Sequence, residues 1–292
     1  MEQETSTVAV RGARAAELMV DALDRVRSTI SYLRAEYGAL EPVSRVGDAL
    51  NDSHWFRSAE LLGEPEWLET LIRESGHQLG TDDPVVAASL FVQNYSYRVV
   101  TLAVACATTS GVIPDSSAST MAIVMKGGRP STVGYVGSNA LVLTSIGQTI
   151  SEAFDDPVTL DAALDYIISH AIDDHLAVLV NATRTRIRVG ERLLWGNIAA
   201  STAVAFRTME SSLGPWVQHL GHRFFDLCPR QLAGMGSFLQ LEHQGRRGWY
   251  WERTNCCLYD RLPANIRCGD CVRTPKDERR AAYLASLEKP ES

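Results

Sequence analysis

Four of the six cysteines in this 292-residue chain fall within sixteen residues, as Cys256-Cys257, ten intervening residues, then Cys268-Gly269-Asp270-Cys271. A disulfide-dense secreted scaffold carries more cysteines in a shorter chain, and in a reducing compartment such a cluster is more often metal-binding or redox-active. Gly269 permits a tight turn, so Cys268 and Cys271 are spaced to converge on one metal. Cys256 and Cys257 differ, because adjacent side chains on extended backbone point to opposite sides and reach one ion only through a local kink. A binuclear iron-sulfur cluster, with four thiolates around a wider object, tolerates that divergence better.

Other occupants follow other rules. Structural zinc also takes four cysteines, usually as two pairs each separated by two to four residues, a rule that Cys256-Cys257 breaks. Two disulfides or four free thiols are further alternatives. A Rieske-type centre needs two histidines, and none of the seven lies in this segment. Cys106, in an apolar run, and Cys228, before Pro229, read as inert buried thiols.

The formal net charge of -7 argues against nucleic-acid binding, which needs a broad basic footprint. Met1 to Thr7 is polar, without the basic and then apolar regions of a secretory signal, so a cytoplasmic location is expected. The most apolar stretch, Val85 to Ala107, is interrupted by Gln93, Asn94, Ser96 and Arg98, and reads as a buried helix rather than a membrane span. Those polar residues need partners.

Apolar residues recur at three- and four-residue intervals from Ala13 to Leu40, as an amphipathic helix requires. Asp83 followed by Pro84 is a capping residue before a first-turn proline, so a second helix should run from there to about Thr108. A hairpin fits Met121 to Met125 and Val133 to Tyr135 across Gly127-Gly128. Helical patterning returns between Thr159 and Met209, with a break at Gly190, and again from Trp216 to Leu227. A second hairpin, Phe238 to Glu242 with Trp249 to Trp251, leads into the cysteines. The expected architecture is α+β and mostly helical: one main domain with small β-hairpins and a C-terminal cysteine-rich segment. The expected divisions are a helical body over residues 1–235, a cluster-binding segment over 236–275, and a charged, solvated tail over 276–292.

The Cys-Cys, ten residues, Cys-x-x-Cys arrangement, followed by Leu258-Tyr259 and built around Cys-Gly-Asp-Cys, resembles that of FhuF-like ferric-siderophore reductases. Phe91-Val92-Gln93-Asn94-Tyr95 with Arg98, and Leu194-Trp195-Gly196-Asn197-Ile198-Ala199, are similar to the body of that family. Together the resemblance covers about Asp83 to Pro275. It implies a 2Fe-2S cluster held by Cys256, Cys257, Cys268 and Cys271, and one-electron reduction of siderophore-bound Fe(III). That chemistry is self-consistent, because ferric iron prefers the hard oxygen donors of siderophores while ferrous iron binds them far more weakly. Reduction is therefore release.

Arg247, Arg253, Arg261, Arg267 and Arg273 make the segment locally basic. They read either as tuning an anionic cluster and attracting an anionic chelate or acidic donor, or as ordinary solvated surface. Arg253 and Arg267, with Trp249 and Trp251, are the candidate substrate or cluster environment. Trp195, Asn197 and Trp216 are either core packing or part of an aromatic wall. Gly234-Met235-Gly236 lacks the third glycine of a dinucleotide fingerprint, so electrons are expected from another protein such as a ferredoxin, flavodoxin or flavin reductase. Two other classes are carried alongside: an iron-sulfur sensor or scaffold without turnover, and a zinc-stapled interaction protein.

Overall fold

A computed structural model describes residues 6–38, 54–144 and 149–288. The chain opens with β1 (Ser6–Arg11), α1 (Gly12–Thr29) and β2 (Ala35–Tyr37), followed by β3 (His54–Arg57), α2 (Ser58–Gly63) and α3 (Pro65–Gln78). Next come α4 (Pro84–Ser110), β4 (Val112–Pro114), β5 (Met121–Lys126), β6 (Arg129–Tyr135) and β7 (Asn139–Thr144). Helices α5 (Ile150–Ala153) and α6 (Pro157–Ile167) lead through a π-helical stretch, Ile168–Leu176, into α7 (Ala177–Arg186). After these come α8 (Glu191–Leu213), α9 (Trp216–Leu227), α10 (Arg230–Ala233), β8 (Gly236–His243), β9 (Arg246–Arg253) and α11 (Lys276–Glu288). The mostly helical α+β architecture expected from the sequence is the one observed.

Helix α4 is the axis of the molecule. Asp83 Oδ1 accepts the N–H groups of Val85 and Val86, Pro84 occupies the first turn, and Gly111 ends the helix at φ 69°. Its apolar residues are buried on nearly every side, against α8 along most of its length and against α1, α3 and β6 elsewhere. A helix that is apolar all round has to be central. Two of its interrupting polar groups find partners: Arg98 Nε donates to Pro130 O at 2.8 Å and to Asn94 Oδ1 at 3.2 Å. Among the described residues no helix is long and apolar enough to cross a membrane.

Among the described residues three small sheets surround this core, in the orders β1-β7-β4, β2-β6-β5-β3 and β8-β9. The β5-β6 hairpin forms as expected, but inside a four-stranded sheet in which β2 runs parallel to β6. That strand is a correction to the first helix, which stops at Thr29 rather than continuing toward Leu40; Leu40 itself lies outside the described residues. The β8-β9 turn is tighter than the sequence suggests. Gln244 and Gly245 both take positive φ, 51° and 76°, as a two-residue type I′ turn requires. The charged stretch after Pro275 is a helix through Glu288, with Tyr283 stacked on Tyr250 at 4.3 Å, so this part of the tail packs on the hairpin.

Candidate metal centre

The four clustered cysteines follow β9 on a stretch without regular structure apart from one short helical turn at Tyr259–Arg261. Cys257 and Cys271 are buried, and Cys256 and Cys268 are half-buried. Leu258 takes φ 66°, in the left-handed region that a branched residue enters only when its surroundings hold it there. The kink turns the Leu258 N–H onto Cys256 Sγ at 3.3 Å, and the Tyr259 N–H reaches Cys257. A second turn, closed by Cys271 N–H to Cys268 O at 3.0 Å, presents the other two thiols.

Cys257 Sγ and Cys268 Sγ lie 3.5 Å apart. Two thiolates on one tetrahedral metal with bonds of about 2.3 Å stand about 3.8 Å apart, so this pair is close to ligand spacing. The spacing in the sequence pointed to Cys268 with Cys271; folding also brings together one cysteine from each half of the motif. A proton shared within this pair stays on Cys268, whose thiol is pushed up, while Cys257 is drawn down to about 6 by the Cys268 hydrogen bond and the nearby Arg253 cation, against burial. Cys256 is raised by burial. Among the described residues no three His, Cys, Asp or Glu side chains are gathered tightly enough to hold a single metal ion. A binuclear cluster needs only two thiolates on each iron.

What holds this stretch in place is a buried polar chain from the two central helices. Ser89 Oγ on α4 donates to Cys257 O at 2.7 Å. Asn197 Nδ2 on α8 donates to Ser89 O and Oγ, both at 2.8 Å. Arg253 Nη2, at the end of β9, donates to Asn197 Oδ1 at 2.6 Å. Beside Asn197, Gly196 leaves the space that the Asn255 carboxamide fills; a Cβ there would overlap it. Asn255 Nδ2 also donates to Leu193 O at 3.3 Å.

Arg253 is the residue that tests whether a cluster fits. Its side chain is 0% exposed, its Nε and Nη1 have no hydrogen-bond partner, and its nearest carboxylate is Asp270 Oδ2 at 4.0 Å. A buried cation with uncommitted donors calls for a nearby anion. The Cys257 thiol, drawn toward thiolate, and Asp270 at 4.0 Å meet that demand only in part. A four-thiolate 2Fe-2S cluster, anionic in both oxidation states, meets it more fully, and the two backbone N–H groups on sulfur suit it as well.

The other arginines of the segment, Arg267 among them, are exposed, though Arg273 faces Cys256 and Cys271. Arg273 pairs with Asp260 at 2.6 Å, Arg247 with Glu242 at 3.1 Å and Arg261 with Asp83 at 3.9 Å. Trp249 and Trp251 belong to an aromatic cluster on the hairpin's inner face: Trp249 stacks on Phe238 at 3.8 Å and Trp251 on Phe225 at 4.6 Å. Trp195 is buried and donates to Glu191 at 3.3 Å, and Trp216 stacks on Phe154 at 6.0 Å. These rings brace the hairpin and the helices. Cys106 and Cys228 are buried, and burial pushes each thiol up to about 12. Sequence reasoning missed Ser89 and Gly196 as seats for the cysteines; a serine and a glycine inside apolar helices were the only local signals.

Comparison with known proteins agrees with the resemblance in the sequence. Residues 89–247 match the model of the family described as "Ferric iron reductase FhuF-like transporter", a span that includes Ser89, Gly196, Asn197 and most of the hairpin and stops short of Cys256. No curated protein sequence matches the chain. Among solved structures, the petrobactin biosynthesis protein AsbB from Bacillus anthracis str. Sterne is similar with a TM-score of 0.51 at 10% identity, over 80% of this chain and 45% of that one. The aerobactin synthetase IucA from a hypervirulent pathotype of Klebsiella pneumoniae gives 0.47 at 12% identity, over 70% of this chain and 41% of that one. This chain therefore aligns with less than half the length of these proteins, and the likeness to AsbB is one of fold. By its family match, which takes in more than half of its residues, the chain belongs to the FhuF-like ferric iron reductase family.

Proposed function

We propose that this protein is a cytoplasmic ferric-siderophore reductase whose Cys256, Cys257, Cys268 and Cys271 hold a 2Fe-2S cluster. When bound, the cluster supplies one-electron storage at low cost in nuclear rearrangement. The chain's own residues orient and tune it: Leu258 and Tyr259 direct N–H groups at sulfur, and Arg253 places a buried positive charge beside Cys257, both of which favour the more negative, reduced form. The observation that carries the reading is the Arg253 guanidinium, buried beside Cys257 with two donor nitrogens lacking a hydrogen-bond partner.

The substrate is Fe(III) in a siderophore, which takes one electron and leaves as weakly held Fe(II). The electron is replaced by a donor protein, a ferredoxin, flavodoxin or flavin reductase. The test is anaerobic: reduced protein mixed with a ferric siderophore should lose its reduced-cluster spectrum as Fe(II) accumulates in a chelator trap. Iron and sulfide analysis of Cys257→Ser and Cys268→Ser should show loss of bound iron. Full iron loading in either variant overturns the cluster assignment.

A further inference from the structure

The cysteine stretch covers the contact between α4 and α8 at Ser89 and Asn197. One turn further along both helices, the contact opens into a hollow of about 420 Å³ lined by Gln93 of α4, by Ser201, Val204 and Arg207 of α8, and by Gly269 and Asp270 from the turn between two of the thiols. Positions 201, 204 and 207 recur at three-residue intervals and so share one helix face. The same face continues into a second hollow of about 390 Å³, which shares Val204 and Arg207 and is rich in hydroxyls from Ser31, Tyr32 and Thr208. The two form one groove with its inner end on the Cys268–Cys271 turn.

The hydroxyls of Ser201 and Tyr32 are bonded within the protein, but two groups of the groove are not. Gln93 Oε1 is buried without a hydrogen-bond partner. Arg207 lies 5.1 Å over the Tyr250 ring and has no carboxylate partner among the described residues, which leaves its guanidinium free to meet oxygen. Each hollow falls in the range usual for small-molecule sites, about 300–1,000 Å³. Val204, 39% exposed, stands where the two hollows join.

We infer that this groove seats the ferric chelate, an oxygen-donor siderophore complex, with Arg207 and Gln93 contacting its periphery and its iron held against the Cys268–Cys271 turn. The inference rests on the reductase reading and deepens it by naming where the substrate binds. Arg207 supplies donors to deprotonated chelate oxygens, and the Gln93 carboxamide, whose Oε1 has no partner inside the protein, accepts from the amide or amine groups of the siderophore backbone once its side chain turns into the groove. The seat lies beside the turn that carries two of the four sulfurs, so the electron crosses at close range without a protein ligand to the iron.

The test separates the seat from the reaction. Gallium(III) complexes of a trihydroxamate and of a tris-catecholate siderophore match the ferric complexes in charge but are not reduced, so calorimetric titration of the full chain reads binding alone. The wild type should bind at least one of them. Val204→Trp and Arg207→Ala should each weaken that binding by about tenfold or more and raise KM for the ferric complex in step, with kcat less affected. Unaltered binding in both variants overturns the seat while leaving the reductase reading in place. Should Val204→Trp fail to fold, as judged by its melting curve, Arg207→Ala decides alone. If the wild type neither binds a gallium complex nor releases Fe(II) from a ferric one, both readings fall together.

Discussion

Arg253 Nη2 donates to Asn197 Oδ1 at 2.6 Å, and through this bond the last residue of the β8-β9 hairpin is tied to the second turn of α8. Both side chains are almost wholly buried. Asn197 in turn holds Ser89, which holds the Cys257 carbonyl, so one carboxamide connects two helices, a hairpin and the cysteine stretch.

Asn197→Ala should therefore be costly. It strips a buried cation of a hydrogen-bonded neutral partner, a change worth about 2 kcal/mol. The expected outcome is a lower urea midpoint, with wild-type iron loading reached only at low temperature. A midpoint within error of wild type would sink the network as a structural unit.

Gly196→Ala is a smaller change with a local effect. The added methyl overlaps the Asn255 carboxamide, which directly precedes Cys256, so the chain must move where the first two thiols are placed. Alanine suits a helix better than glycine, by about 1 kcal/mol, so any loss must come from the clash. Reduced iron content with helical circular dichroism largely kept is the expected result.

Metal-free protein should form a Cys257–Cys268 disulfide before any other. Their sulfurs are 3.5 Å apart, and Cys257 is the thiol drawn down toward thiolate. Oxidised glutathione would be reduced to two glutathione molecules as the two thiols lose their hydrogens and join. Peptide mapping of the oxidised chain reads the pairing, and loading with iron and sulfide beforehand should block it.

Stability should fall as the solution is acidified through a window set by His175. This side chain is fully buried, accepts at Nε2 from Tyr95 Oη at 2.9 Å and donates from Nδ1 to Ser116 O at 2.9 Å. Burial lowers it from 6.5 to about 4. Between these values the unfolded chain binds a proton that the folded chain refuses, so unfolding free energy rises with pH there and is lost on acidification, by up to about 3 kcal/mol. Chemical denaturation at pH 7 and pH 4.5 should show the difference, and His175→Gln should flatten it.

Much of this fold was legible from near neighbours in sequence. The Asp83-Pro84 start and the end of that helix near Thr108, the β5-β6 hairpin and the helix over Trp216–Leu227 all depend on periodicity, capping and turn residues within a few positions of one another. The end of α1 and the helix at 276–288 were not legible in this way. β2 forms because β6 offers it a partner about a hundred residues away, and the charged C-terminal helix forms on the hairpin through Tyr283 and Tyr250.

The cysteine motif alone pointed to a thiolate-held metal centre, because its four sulfurs fall within sixteen residues of one another. Arg253 alone was one arginine among five. Which of the five is buried, which thiols approach each other, and what anchors them depended on Ser89 and Asn197, which lie 168 and 56 positions from the groups they hold. Periodicity and spacing report what a residue does within its own helix turn or strand; a buried charge acquires its meaning only from the distant groups that folding places around it.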